Sequence, residues 1–224
     1  MKAMLLAAGR GERLRPLTDR IPKALVEVGG KPLIAWHLER LAAAGCREAV
    51  INVSHLADKI VEAIGDGARF GLRVAYSREA EPLETAGGIA QALPLLGSAP
   101  FLLVNADIYC EVGFRRLLDF PLDTMLAHLV LIPNPPHHPK GDFTLEGARI
   151  GNDGASRYTY SGVAVMSPAL VSAVVRGTKA PLVPYLRSAA DAHRLSGELF
   201  AGLWQDVGTA QRLAELETQM ASRK

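Results

Sequence analysis

The sequence predicts an α/β protein built on a mixed, mostly parallel central sheet. Three observations carry that expectation. Short apolar runs alternate with segments of helical period through the first half of the chain. These runs are apolar on both faces, as strands of a parallel sheet covered by helices must be. In the second half, strands separated by closely spaced turn signals become more frequent than helices, so the sheet is expected to be mixed.

Each element has its own signal. Residues 3–6 read as a short buried strand. Residues 31–45 follow as a helix, with Ile34, Leu38 and Leu41 at helical spacing and Gly45 as its stop. A strand at 49–53, a helix at 56–64, a strand at 72–76 and a helix at 87–93 come next. Residues 101–105 form a nearly all-apolar strand. A further strand spans 124–132, followed by a Pro- and His-rich loop over 133–140. Residues 143–145 and 158–165 read as strands, with turns at Gly147, Gly151 and Asp153-Gly154 between them. A helix over 182–192, a final strand over 199–204 and a helix over 209–220 complete the chain. The last helix carries Leu213, Leu216 and Met220 on one face. No internal repeat or low-complexity linker interrupts the 224 residues, so one domain is expected.

The composition sets bounds on function. At 49% hydrophobic and 21% charged residues, the chain has the make-up of an ordinary globular core. A net charge of +2 offers neither a basic surface for nucleic acid nor an acidic tail. Cys46 and Cys110 sit in no metal or redox spacing and read as buried free thiols. The first apolar run is too short for a signal peptide, and no stretch is long enough to span a bilayer. A soluble, cytoplasmic protein without nucleic-acid or membrane partners is expected.

The loop after the first strand carries the strongest motif. It reads Leu6, Ala7, Ala8, Gly9, Arg10, Gly11, Glu12, Arg13, Leu14, Arg15, Pro16, with Pro22-Lys23 at its far end. Small residues let a ligand approach the backbone, and free amides hydrogen-bond phosphate oxygens or a base edge. Arg10, Arg13 and Arg15 add guanidinium groups suited to bidentate phosphate binding. The Gly-Lys-Ser/Thr of a P-loop is absent, and Leu14 stands where the dinucleotide fingerprint needs a third glycine. A plain strand-to-helix turn remains the competing explanation of the glycines alone.

These residues resemble the signature of the sugar-phosphate nucleotidyltransferases. The resemblance implies a Rossmann-like nucleotidyltransferase fold. It continues through Glu81, Pro82, Leu83, Glu84, Thr85, Ala86, Gly87, Gly88, which looks like a base-recognition segment, and through Val104, Asn105, Ala106, Asp107. It ends in Trp204, Gln205, Asp206, Val207, Gly208, Thr209. Within the family the sequence is most similar to the short N-acetylmuramate-1-phosphate uridylyltransferases, with which it shares His137-His138, Gly141, Asp142 and Phe143. Two departures are visible. Glu12 replaces a common Thr, and Asn152, Asp153, Gly154, Ala155 replace a Glu-Lys-Pro segment whose lysine meets the sugar phosphate; Arg157 is nearby but out of register.

The resemblance implies UTP and a sugar 1-phosphate as substrates and Mg2+ as cofactor. It divides the chain into a nucleotide-binding half, about 1–120, and a sugar-phosphate half, about 121–224. It assigns Arg13 and Lys23 to the triphosphate and Asp107 and Asp206 to magnesium. Arg13, Lys23 and Asp107 are then the catalytic candidates. Leu6, Ala7, Ala8, Gly9, Gly11, Glu84, Gly88 and Asn105 complete the nucleotide site, and Gly141 and Ser161 face the sugar.

The chemistry asks for such groups. Joining two phosphates is opposed by charge repulsion, so catalysis is mostly positioning and charge neutralisation. Magnesium takes a few carboxylates and leaves the rest of its shell to water and phosphate. Each assignment has a structural competitor: Asp107 suits the N-cap of a helix from Glu111, and Thr209 competes with Asp206 as a capping residue. Glu84 reads equally as a solvated turn. Adjacent histidines 137 and 138 point in different directions with no acidic partner near in sequence, so a solvated loop at the sugar site is expected rather than a metal site. Trp36 and Trp204 are expected in the core, Trp204 at the edge of the sugar pocket. The rival functions are a mannose- or heptose-1-phosphate guanylyltransferase using GTP and a catalytically silent sugar-nucleotide sensor.

Overall fold

The computed structural model describes residues 1–222. The chain runs through β1 (Lys2–Leu6), β2 (Glu27–Val28), β3 (Lys31–Pro32), α1 (Leu33–Ala43), β4 (Glu48–Val53), α2 (Ala57–Ile64) and β5 (Arg73–Arg78). Next come α3 (Glu84–Leu96), β6 (Phe101–Asn105), β7 (Ile108–Cys110), α4 (Phe114–Leu118) and β8 (Ala127–Ile132). The remainder is β9 (Phe143–Glu146), β10 (Arg149–Gly151), β11 (Arg157–Met166), α5 (Val183–Asp191), β12 (Leu195–Leu199), β13 (Trp204–Asp206) and α6 (Ala210–Ala221).

Nine strands form one sheet in the order β5-β4-β1-β6-β11-β8-β12-β10-β9. β5, β4, β1 and β6 are parallel, β11 runs antiparallel to both β6 and β8, and β12 is parallel to β8. The central sheet is mixed, as expected: its parallel first half joins a second half with both senses where β6 pairs with β11. Side chains alternate between two cores: Leu5, Ile51 and Val104 pack on one face, Met4, Val50 and Leu103 on the other. Burial on both faces is why these strands read as continuous apolar runs.

A third cluster matters most for the site. Leu14 from the glycine-rich loop, Leu33 from α1, Tyr109 from β7, Val207 and Leu216 from α6 are buried together, with Trp36 packed against them. It fastens the loop after β1, the strand after Asp107 and the segment after Asp206 to one another.

Several elements differ from the sequence reading. The expected strand over 199–204 is two separate strands, because β12 ends at Leu199 and pairs with β8 while β13 begins at Trp204 and pairs with β7. Asp107 is not a helix cap: β7 follows it at once, and α4 opens later behind Gly113. Thr209, in contrast, does cap α6, its hydroxyl accepting from Arg212 N at 3.3 Å. Residues 31–32 form a short strand with β2, so α1 begins only at Leu33. α3 is longer than its apolar period, starting at Glu84 and running past Pro94.

Candidate active site

The site lies at the C-terminal ends of β1, β4, β5 and β6, where open α/β sheets leave a crevice. A cleft of about 210 Å³ is lined there by Leu6, Ala7, Ala8, Gly9, Lys23, Glu84, Asn105 and Asp107 from the expected set. Asn52, Glu79, Pro82, Thr85, Ala24 and Ala106 complete it. Gly9 has no atom within 4 Å of where a Cβ would stand, so its backbone faces open space. Gly11 does different work. Its φ is +65°, and a Cβ there would meet Thr18 Cγ2 at 2.9 Å, so it shapes the turn rather than the cleft.

The sequence reading missed Asn52 and Glu79. Asn52 Oδ1 accepts from Ala7 N at 2.8 Å, and Asn52 Nδ2 donates to Glu79 Oε1 at 2.7 Å. Glu79 Oε2 accepts from Leu83 N at 2.9 Å. This buried chain ties the first amides of the glycine-rich loop to the segment that enters α3. Burial pushes the Glu79 carboxyl above its usual range, against the two hydrogen bonds. Gly88 does not line the cleft: a Cβ on it would stand 2.8 Å from both Asn52 Nδ2 and Glu79 Oε1. Its smallness makes room for the pair. The available signal was a polar residue at the end of each of two neighbouring strands.

Lys23 Nζ lies 2.5 Å from Asp107 Oδ2. The lysine is buried while the carboxylate stays partly open to the cleft. Asn105 packs under Gly162, whose φ of +83° marks a bulge in β11; any Cβ there would overlap the Asn105 side chain.

A second cleft opens on the other side of Asn105 and Asp107, and both residues line it as well. Arg13, Ser161, Trp204, Asp206, His137 and His138 are among its walls. Asp107 and Asp206 thus share one cleft: β13 pairs with β7 so that Asp206 faces Ile108, and Val207 N donates to Asp107 O at 3.0 Å. Asp206 Oδ2 accepts from Arg212 Nη1 at 2.7 Å and lies 3.3 Å from His137 Nε2. Its other oxygen, Oδ1, is buried and has no partner among the described residues. Gly208 is close to Asp206 Oδ1, Arg212 and Arg13 alike, and a Cβ would collide with the first two.

The other expected residues divide. Trp204 does border the second cleft, its Nε1 donating to Ser161 O at 2.8 Å. The Ser161 hydroxyl accepts from Val163 N at 3.1 Å. Gly141 lies apart, in a separate cleft with Asn134, Lys140 and Arg157. Its φ is +61° and a Cβ would meet Asn134 Oδ1 at 2.7 Å, so the turn itself requires glycine. The histidines are not free of acids: His138 Nε2 lies 3.0 Å from Asp142 Oδ1, four residues on, and His137 reaches Asp206. Arg15 turns away to pair with Asp19 at 3.1 Å. Arg157 donates to the Asn152 and Asp142 carbonyls.

The donor set fits magnesium. Among the described residues no group of three or more acidic, histidine or cysteine side chains could cage a metal. Two carboxylates in one cleft suit an ion that takes few protein ligands, and Asp206 Oδ1 is a buried oxygen that no described group satisfies.

Similarity to known proteins gives the family and the fold. The family model described as nucleotidyl transferase matches residues 2–143. The N-acetylmuramate alpha-1-phosphate uridylyltransferase of Neisseria meningitidis serogroup B is 49% identical, over 97% of each chain. A mannose-1-phosphate guanyltransferase of Aspergillus fumigatus is 32% identical over 93% of this chain, which spans only 61% of that relative. A structure described as a glucose-1-phosphate thymidylyltransferase of Bacillus anthracis superposes with a TM-score of 0.87 at 19% identity, covering 98% of this chain and 94% of that one. HddC from Yersinia pseudotuberculosis, solved with GMP-PN, follows at 0.79 and 19%, covering 98% and 99%. The last two speak to the fold, and they match the mixed sheet. With the glycine-rich loop, the paired carboxylates and a family model covering more than half its length, the chain belongs to the nucleotidyl transferase family.

Proposed function

We propose that this protein transfers a uridylyl group from UTP to N-acetylmuramate 1-phosphate, releasing pyrophosphate. The observation that carries the reading is the pair of clefts that share Asn105 and Asp107. One suits a nucleotide, the other the sugar phosphate that attacks it, with Asp107 between them and Asp206 in the wall of the second. The 49% identity to a uridylyltransferase of that sugar supports the choice of substrates.

In this reading the sugar-phosphate oxygen forms a bond to the α-phosphorus in line with the departing pyrophosphate. The bond from the α-phosphorus to its bridging oxygen breaks, and the electron pair leaves with pyrophosphate. Lys23 beside the first cleft and Arg13 in the wall of the second neutralise the phosphates from the two sides, and the Leu6–Gly9 backbone and Asn105 hold the nucleotide. Asp107 and Asp206 would hold Mg2+. Bound there, the ion supplies charge neutralisation between the two phosphates. Ser161 meets the sugar. The reaction runs in the cytoplasm, where nucleoside triphosphates are available; among the described residues no helix is long and apolar enough to cross a membrane.

Glu84 stands where the base of the nucleotide would be met. It is exposed at the cleft with φ +60°, a left-handed conformation that costs a non-glycine residue about 1–2 kcal/mol. A carboxylate retained at such a cost is consistent with a contact to the base edge. Pyrophosphate release should be measured with UTP and GTP, each against N-acetylmuramate 1-phosphate and mannose 1-phosphate. The first nucleotide with the first sugar should lead clearly; preference for GTP and mannose 1-phosphate would replace this reading with the guanylyltransferase.

A further inference from the structure

The loop between β8 and β9 is tied down more firmly than a connecting loop requires. Asn134 Nδ2 donates to Pro139 O at 3.2 Å and to Arg157 O at 3.0 Å, while Asn134 Oδ1 accepts from Thr159 Oγ1 at 2.9 Å. His138 N donates to Pro135 O at 2.9 Å, and Asp142 N donates to Tyr158 O at 2.8 Å. The result is a rigid arch that carries His138 to the wall of the second cleft.

His138 itself is oriented. A carboxylate only accepts, so His138 Nε2 must be the donor in its 3.0 Å contact with Asp142 Oδ1. Asp142 Oδ2 is fixed in turn by Tyr160 N at 2.8 Å. Among the described residues no hydrogen bond uses His138 Nδ1, and the side chain is 42% exposed. One ring nitrogen is thus committed to the scaffold and the other is left for a ligand. Of the other basic groups around the two carboxylates, Lys23 is paired with Asp107, and Arg212 and His137 with Asp206, while Arg13 also lines this cleft.

We propose that His138, held by Asp142, binds an anionic oxygen of the sugar substrate through Nδ1 and helps select an acidic sugar 1-phosphate. This rests on the substrate reading above. Donating to the ligand through Nδ1 while Nε2 donates to Asp142 requires a proton on each nitrogen. Two oxyanions of N-acetylmuramate 1-phosphate offer the same chemistry, the phosphate and the lactyl carboxylate.

The test compares steady-state kinetics of the unsubstituted enzyme, His138→Ala and Asp142→Asn. Each is run with N-acetylmuramate 1-phosphate and with N-acetylglucosamine 1-phosphate, which lacks the carboxylate. A charge-assisted hydrogen bond predicts a loss of roughly 10- to 100-fold in kcat/KM for His138→Ala and a smaller loss for Asp142→Asn. The loss should fall on the KM for the sugar phosphate while the KM for UTP stays unchanged, whereas a general loss of folding lowers the apparent kcat and leaves both KM values as they were. Loss with the muramate alone assigns the contact to the carboxylate, and equal loss with both sugars assigns it to the phosphate. Unchanged kcat/KM for both sugars in His138→Ala overturns the proposal. Turnover of neither sugar by the unsubstituted enzyme overturns the substrate reading itself, and this inference with it. If His138→Ala is recovered only as aggregate, His138→Gln, which retains a donor, is read by the same criteria.

Discussion

Lys23 and Asp107 are separated by 84 positions in sequence, yet their side chains meet at 2.5 Å where the two clefts join. The contact couples the end of the glycine-rich loop to the end of β6. It also holds a carboxylate in place where two phosphates are expected to arrive. Asp107→Asn keeps the shape and removes the charge. Turnover should fall by about 10²-fold or more. Thermal stability should change little, because Asp107 is 40% exposed and partly screened exposed pairs contribute at most about 1 kcal/mol. Pyrophosphate release and a melting curve on the same sample check both halves; near-normal turnover would remove Asp107 from the mechanism.

Glu84→Gly should separate stability from function. Relief of the +60° φ is expected to stabilise the fold by about 1 kcal/mol or less, net of the entropy glycine loses. The KM for UTP should rise several-fold. Urea unfolding and UTP titrations measure the two, and a variant that binds UTP normally would make Glu84 a turn residue only.

Gly88→Ala should damage the nucleotide cleft from behind its lining. The added methyl presses on the Asn52–Glu79 contact from 2.8 Å, an overpacking expected to cost about 1–3 kcal/mol. Because Asn52 also holds Ala7 N, nucleotide affinity should drop with stability. Glu79→Gln, which has the same shape, is the companion variant. Intact stability and affinity in Gly88→Ala would show that the Asn52–Glu79 pair yields freely.

Acid should weaken the fold through His37. Burial, chiefly, lowers its pKa from 6.5 to about 4, and nearby Arg40 lowers it further; the Ile108 carbonyl and Asp107 act in the opposite direction. The unfolded chain therefore binds a proton near pH 6.5 that the folded chain refuses until about pH 4. Stability tied to this group is whole above pH 6.5 and is lost as the pH falls toward 4, by up to ~3 kcal/mol. Urea unfolding at pH 7 and pH 5 should show the loss, and His37→Gln, which keeps a donor for Ile108 O, should flatten it. An equal pH slope in both proteins would exclude His37 as the source.

Much of this protein could be read from its residues. β1, β4, β5, β6 and α2 were predicted nearly to their ends because two-sided burial and helical period leave direct marks in local sequence. The family was legible for a similar reason: the loop at Leu6–Pro16 packs many chemical requirements into consecutive residues. β7 and β13 were not legible, since strands of three residues become strands only by pairing with each other across the chain. Gly88 and Gly141 were assigned to ligands when each instead makes way for atoms distant in sequence. The roles of Asn52, Glu79 and Arg212, the acids facing the two histidines and the meeting of both clefts at Asp107 depend on distances between remote segments. Local order follows from the chemistry of neighbours along the chain, whereas the geometry of the site follows from which ends of strands the folded sheet brings together.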